Sequence, residues 1–158
     1  MPVTKLKEYL DGEGVKYVSI IHSCAYTAQE TAESAHISGK ELAKTVMVKL
    51  DGKMAMAVLP ASEHVDLELL RAGATADKVA LASEYEFKDL FPQCEVGAMP
   101  PFGNLYDMDV FVEEDLTDDE DIAFNAGSHS ELVRLSVKDY LGLVKPEVMK
   151  LSTRYASR

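Results

Sequence analysis

TVMVKLDGKMAMAVLP, residues 45–60, contains two apolar runs separated by Asp51-Gly52. An Asp-Gly pair readily adopts the positive φ angles of a type I′ turn, so this stretch predicts a β-hairpin. Pro60 is expected to end the second strand because proline has no N–H group to donate to a sheet. The hairpin decides the fold class, since it places an antiparallel strand pair in a chain that also contains helices and further strands.

The segments around the hairpin predict helices and strands in alternation. Val3 to Leu10 predicts a helix, and the strand-like segments are VKYVSIIHS, Asp77 to Ala82, DMDVFVE, IAFNAG and ELVRLS. Three more helices are predicted: SEHVDLELLRAG closed by Gly73, SEYEFKDLF with a Ser83–Glu86 capping box, and VKDYLGLV capped by Ser136. Together these elements predict a mixed-sheet α/β or α+β fold, in a single domain over residues 1–158.

Three segments remain. Thr27 with Glu30 fits another capping box and predicts a short helix. The acidic run EEDLTDDED, residues 113–121, predicts a solvated loop between strands. The tail EVMKLSTRYASR is interpreted as either helical or frayed.

The composition indicates a folded protein of the cytoplasm. The 158 residues are 47% apolar and 27% charged, which is ordinary for a globular domain. We expect no membrane span, because no apolar run approaches roughly 20 residues, and no secretory signal at the start. The two distant cysteines, Cys24 and Cys94, favour free thiols in a reducing compartment. The net charge of -11 argues against binding DNA or other nucleic acid non-specifically.

Several common kinds of active site have no counterpart in the sequence. It contains no P-loop, no dinucleotide-binding glycine motif and no G-x-S-x-G nucleophile motif. The histidines and cysteines lack the spacing of metal ligands, so we expect neither a metal nor a cofactor. Ser128 and His129 are not expected to form a nucleophile–base pair, because adjacent residues in an extended segment point to opposite faces.

Three features are candidates for function: Lys44 at the start of the hairpin, the loop GAMPPFG at residues 97–103, and the turn in FNAGSH at residues 124–129. Each has an ordinary structural alternative. Lys44 suits a solvated strand end, GAMPPFG suits a tight surface turn, and the histidine suits a partly buried polar side chain.

In this order, however, the three features resemble the YbaK family, which includes free-standing aminoacyl-tRNA deacylases and the editing domain inserted in some prolyl-tRNA synthetases. The likeness runs from about Tyr26 to Val144. Lys44 matches the family's A-K-T position. The family's G-x-x-x-P-x-G loop is matched by Gly97, Pro101 and Gly103. The family's G-[ST]-H turn is matched by Gly127, Ser128 and His129. The resemblance implies a compact domain with a mixed, curved sheet surrounded by helices.

The resemblance also implies an activity, hydrolysis of the ester that joins a wrong amino acid to the 3′ end of a tRNA. The expected partner is therefore the acceptor end of an aminoacyl-tRNA, with an aminoacyl-tRNA synthetase as a second candidate. Such an ester is already activated, so positioning a water molecule and stabilising the oxyanion would suffice without a catalytic triad. Lys44 would supply a fixed positive charge.

The GAMPPFG loop would supply N–H donors to the oxyanion, from Gly97, Ala98, Met99, Phe102 or Gly103. Either the amino-acid pocket or the terminal ribose is the expected contact of His129. Tyr26, Met99 and Phe102 are candidate pocket walls, and for each of them packing in the core is the alternative.

A non-catalytic function is the competing hypothesis. The same fold would then bind tRNA, a synthetase or a small amino-acid-like ligand without hydrolysis. The charge of -11 favours this alternative to some extent, because an acidic domain holds the body of a tRNA weakly.

Overall fold

The hairpin predicted at Asp51-Gly52 forms the centre of a five-stranded mixed sheet. The computed structural model describes residues 2–22, 41–91, 94–95 and 97–154. In it, Asp51 and Gly52 have φ angles of 51° and 86°, as a type I′ turn requires. The predicted hairpin is therefore confirmed.

The described residues form four α-helices and ten strands. The helices are α1 (Pro2–Gly12), α2 (Leu67–Ala74), α3 (Glu84–Phe87) and α4 (Val137–Val144). The strands are β1 (Tyr17–Ile21), β2 (Ala43–Leu50), β3 (Lys53–Pro60), β4 (His64–Val65), β5 (Val79–Leu81), β6 (Asp109–Glu113), β7 (Asp121–Ser128), β8 (Glu131–Ser136), β9 (Glu147–Met149) and β10 (Ser152–Thr153). None of these helices is long and apolar enough to cross a membrane.

Two sheets and a short strand pair make up the β-structure. The larger sheet has the order β5-β2-β3-β6-β9, with β3, β6 and β9 parallel and the other pairs antiparallel. The smaller sheet, β1-β8-β7, is antiparallel, and β4 pairs with β10. A parallel bridge between Leu42 and Ala123 joins the two sheets, and the Ala123 N–H donates to the Glu41 carbonyl at 3.2 Å. The predicted mixed-sheet α/β domain is confirmed.

The main core lies between α1, α4 and the inner faces of both sheets. Leu6 and Leu10 on α1 are completely enclosed, as their i, i+4 spacing predicts. They meet Phe124 from β7 and Tyr140 from α4 in one apolar cluster. A second cluster covers the opposite face of the larger sheet, where Leu70 of α2 packs. The larger sheet is thus covered on both faces.

Several predicted helix ends are confirmed, and one helix begins later than predicted because of a local cap. The Ser83–Glu86 capping box and the Ser136 N-cap are confirmed. The helix predicted from Ser62 begins only at Leu67, because the Asp66 side chain accepts the N–H groups of Glu68 and Leu69 and so caps it. The Thr27–Glu30 capping box lies outside the described residues.

The C-terminal tail is the clearest correction. It was expected to be helical or frayed, but it forms β9 and β10. The reason is the carboxylate of Glu113, which is completely buried and accepts the N–H groups of Leu151 and Ser152 at 2.9 and 3.0 Å. The acidic run 113–121 is partly ordered as well, since Glu114–Asp118 form a 3-10 turn that buries Leu116.

The contact between Lys49 and Glu86 gives a test of the fold by pH. The hydrogen bond from Lys49, helped by the N–H of Ser83, holds the pKa of Glu86 at about 2, against an ordinary value of 4.5. Because the pKa is depressed in the folded state, this stabilisation is present above pH 4.5 and is lost as the pH falls toward 2. Glu86→Gln should therefore lower stability to urea at about pH 6.5 and have a smaller effect at about pH 3. An equal effect at both pH values would contradict the assignment.

Candidate functional site

Lys44 lies near the start of β2, opposite Leu59 of β3. Its side chain is half-buried, and its ammonium group has no hydrogen bond or ion pair with any residue that the structure describes. Burial lowers the pKa of Lys44, and the carboxylate of Glu63 opposes that shift. Lys44 is thus not the solvated strand-end lysine of the structural alternative.

The loop that contains GAMPPFG is attached to the end of β7 by backbone hydrogen bonds. The N–H of Glu95 donates to the Gly127 carbonyl at 2.9 Å, and the N–H of Gly127 donates to the Ala98 carbonyl at 2.8 Å. Gly127 has a φ of 101° at an irregularity in β7, a conformation that glycine adopts without strain. The loop and the G-S-H turn, far apart in sequence, are therefore neighbours in space.

His129 lies in the turn between β7 and β8 and is nearly enclosed, with 7% of its surface exposed. Its N–H donates to Glu95 Oε2 at 3.2 Å, and its Nε2 lies 3.9 Å from the same oxygen. Gly97, with a φ of 85°, is so close that a Cβ there would lie 3.6 Å from His129 Cε1. Ser128 lies in the same turn, where its Oγ accepts the N–H of Ser130 at 3.4 Å. The structure thus brings Gly97, Gly127 and His129 together.

The register of β2 and β7 relates Lys44 to this group. Leu42 and Ala123 pair in a parallel bridge and pack in the same small apolar cluster. Since side chains alternate along a strand, Lys44 and Asn125, each two residues further on, extend from the same face. Beyond Asn125, β7 reaches the irregularity that contains Gly127. Lys44 therefore shares a face with Asn125, two positions before Gly127 in the chain.

Asn125 was not among the candidate residues from the sequence. Its Oδ1 is buried and has no hydrogen-bond partner among the described residues. A polar residue within the apolar pattern of IAFNAG was the available signal, but such a residue usually just finds a partner in the fold.

Pro101, Met99 and Phe102 belong to the core side of the loop. Phe102 is completely buried, with ring centroids 5.4 Å from both Phe124 and Tyr140. Met99 packs in the same cluster with 3% exposed. The carbonyl of Pro101 accepts a hydrogen bond from the Tyr140 hydroxyl at 2.7 Å. For Met99 and Phe102 the packing alternative therefore describes the structure, and Tyr26 lies outside the described residues.

The same geometry limits the possible N–H donors of the loop. Ala98 donates to the Glu95 carbonyl at 3.0 Å, and Phe102 donates to the Pro100 carbonyl at 2.8 Å. Among the described residues, Gly97, Met99 and Gly103 have N–H groups without an acceptor. Gly103 has a packing role, since a Cβ there would lie 2.5 Å from Val110 Cγ2 and 2.6 Å from the Met108 carbonyl oxygen.

A buried acidic cluster next to Lys44 was also missed. Glu63, with 5% exposed, accepts a hydrogen bond from Ser152 Oγ at 2.8 Å. Oxygens of Glu63, Glu113 and Asp115 lie within 4.8 Å of one another. Lys150 Nζ lies 3.6 Å from Glu113 and 3.4 Å from Asp115. No local pattern predicts this cluster, because its members come from three separate segments of the chain.

Comparison with known proteins agrees with this fold. Residues 22–143 match the family model of the aminoacyl-tRNA editing domain, and the chain belongs to that family. The multifunctional Ser/Thr-tRNA deacylase ProXp-y of Escherichia coli K12 is 27% identical over 150 residues, covering 92% of this chain and 89% of that protein. The same protein from Escherichia coli O157:H7 gives the same figures.

Solved structures share the fold. Hypothetical protein APE2540 has a TM-score of 0.84 at 20% identity, covering 94% of this chain and 99% of its own. A protein described provisionally as a trans-editing enzyme for prolyl-tRNA synthetase has a TM-score of 0.82 at 19% identity, covering 96% and 97%. The family and the activity expected from the sequence, aminoacyl-tRNA deacylation, are therefore confirmed. The expected fold is confirmed as well.

The two loop glycines differ in what a methyl group would do. Gly103→Ala should cost about 1–3 kcal/mol in the free energy of unfolding, because its Cβ would overlap the backbone of Met108. Gly97→Ala should cost about 1 kcal/mol from its positive φ alone, since the space beside it is sufficient. Urea unfolding of both variants measures the difference. A Gly103→Ala variant as stable as the wild type would contradict the packing role.

Proposed function

We propose that this chain removes serine or threonine from wrongly charged tRNA. The proposal is supported by family membership and by the similarity to the Escherichia coli Ser/Thr-tRNA deacylase. In the reaction, a water molecule adds to the ester carbonyl carbon and gives a tetrahedral oxyanion. The bond to the ribose oxygen then breaks, and the proton released by the water passes to that oxygen.

The observation that carries the mechanism is the half-buried ammonium group of Lys44, which has no partner among the described residues. An unpaired buried charge costs free energy, so it persists where a function requires it. A negative charge that develops on the substrate would be stabilised strongly beside it, because little water screens the interaction. We assign Lys44 the role of a fixed cation that holds the ester carbonyl or a terminal phosphate and stabilises the oxyanion.

The loop and the turn have supporting roles in this proposal. Within the described part of the loop, the N–H groups of Gly97, Met99 and Gly103 are the remaining donors for the oxyanion. The His129 side chain, next to Gly97, contacts the terminal ribose. Gly127 and Ser128 shape the turn that holds the histidine there. Pro101 and Gly103 keep the loop rigid from the core side.

Substitution of Lys44 tests the assigned role. Lys44→Met should lower kcat/KM for a mischarged tRNA by about 10²- to 10³-fold, the usual loss when an oxyanion-stabilising group is removed. The same variant should unfold at the wild-type temperature or above it, since it no longer half-buries an ammonium group that lacks a hydrogen bond or ion pair with any described residue. Release of free amino acid and a thermal unfolding curve measure the two effects. Normal turnover by the variant would remove Lys44 from the mechanism.

Lys44→Arg distinguishes a cation from a general base. Arginine keeps the positive charge but does not lose its proton, so this variant should retain part of the activity. In the wild type, the activity should fall as the pH rises through the lowered pKa of Lys44, because the ammonium form is then lost. Activity that instead rises through this pKa, together with an inactive Arg variant, would identify Lys44 as a base.

The charge of the chain bears on how the tRNA is held. A net charge of -11 gives little electrostatic attraction for the tRNA body. We propose that this chain contacts the acceptor end alone and that an aminoacyl-tRNA synthetase holds the rest of the tRNA. The competing function, a binding module without hydrolysis, would use the same contacts.

A panel of charged tRNAs separates these possibilities. Wild-type protein should release serine and threonine from mischarged tRNA, and added synthetase should lower KM with little change in kcat. Lys44→Met serves as the inactive control. If no amino acid is released from any tRNA while a synthetase is captured, the chain is a binding module.

A further inference from the structure

Glu63, a nearly buried carboxylate, belongs to no motif of the family resemblance. Glu63 follows β3 in the turn that leads to β4 and is nearly enclosed. Its N–H donates to the Pro60 carbonyl at 3.0 Å, and Ala61 N–H donates to the Leu42 carbonyl at 2.8 Å. These two bonds fix the turn against the start of β2, two residues from Lys44. The carboxylate of Glu63 is therefore held beside the segment that carries Lys44.

Glu63 is also held from the other side, by the C-terminal segment. Ser152 Oγ lies 2.8 Å from Glu63 Oε1 and 3.0 Å from Glu113 Oε1. Glu113 already accepts the N–H groups of Leu151 and Ser152 on that oxygen. The single hydroxyl hydrogen of Ser152 therefore goes to Glu63, whose carboxylate accepts no backbone N–H group from the described residues. The strand pair β4–β10 keeps Ser152 in position.

We propose that Glu63 is a positioning residue that keeps Lys44 in its ammonium form, and that Ser152 orients the Glu63 carboxylate for this task. The inference rests on the cationic role of Lys44 proposed above. An opposite charge nearby favours the charged form of a lysine, while burial favours the neutral form. The first of these effects comes from Glu63, and the second comes from the half-burial of the Lys44 side chain.

Other charged groups around Glu63 affect its pKa and therefore whether its carboxylate is charged beside the Lys44 segment. Glu113 from β6 and Asp115 from the following turn add carboxylates, and Lys150 before β10 adds an ammonium group 4.0 Å from Glu63. The adjoining cavity of about 280 Å³ is lined further by Asp118, Asp119 and Arg154. Burial raises the pKa of Glu63, its acidic neighbours raise it further, and the Ser152 hydrogen bond opposes them. Ser152 therefore favours the charged form of Glu63.

Titration of Lys44 in labelled protein tests the inference directly. In Glu63→Gln, the Lys44 pKa followed by NMR should fall by about half a unit or more, since its counter-charge is gone. Ser152→Ala should shift it in the same direction by less. Glu68→Gln is the matched control, because this exposed carboxylate on α2 pairs with Arg71 and should leave Lys44 unchanged. Glu63→Asp, which restores the charge, should recover part of the shift.

Activity provides the second readout. The alkaline limb of the kcat/KM profile should move to lower pH in Glu63→Gln by the same amount as the Lys44 pKa. An unchanged Lys44 titration in Glu63→Gln would overturn the inference, and if that variant does not fold, an unchanged titration in Ser152→Ala would do so. The NMR result is independent of the proposed function. Full activity in Lys44→Met, or no hydrolysis by the wild type, would refute the proposed function. The effect of Glu63 on the pKa of Lys44 would still have been measured.

Discussion

The site depends on the backbone hydrogen bonds that Gly127 exchanges with the loop around Ala98. Its carbonyl accepts from Glu95 and its N–H donates to Ala98. These two bonds attach the loop to the end of β7, so Gly97 lies against His129. The positive φ of Gly127 lets β7 change course at this point without the strain that another residue would carry. On the core side, Phe102 and the hydrogen bond to the Pro101 carbonyl hold the same loop.

Electrostatics add a second constraint, because the fold partly buries charges of both signs next to each other. Lys44 gives up hydration without an ion-pair partner among the described residues, and Glu63 is nearly enclosed among other carboxylates. Such groups cost stability, and packing elsewhere must offset that cost. The N–H groups of Leu151 and Ser152, both donated to Glu113, contribute to this compensation. The C-terminal segment is therefore part of the environment of the site.

Local signals predicted much of the fold. The Asp51-Gly52 turn, the Ser83 capping box and the Ser136 cap each depend on a few adjacent residues, and all three formed as expected. The tail was predicted wrongly because its strands depend on Glu113, almost forty positions earlier in the chain. A sequence pattern does not contain such a contact.

The candidate site could likewise be predicted only where it depends on local sequence signals. The positions of Lys44, the loop and the G-S-H turn were visible as motifs. Glu63 was not, because its role arises from residues of separate segments that only the fold brings together. For Met99 and Phe102, apolar character alone did not distinguish a pocket wall from the core, and the structure places both in the core.

Binding of a non-hydrolysable seryl-adenosine analogue, in which an amide replaces the ester, tests the central claim most directly. Amide and lysine resonances should shift at Lys44, Gly97 and His129, on the face that joins β2 to the end of β7. The exposed groove along β1 and β8, around Val18, should remain unchanged. Shifts confined to that groove, or none at a saturating concentration of the analogue, would contradict the assignment of the site.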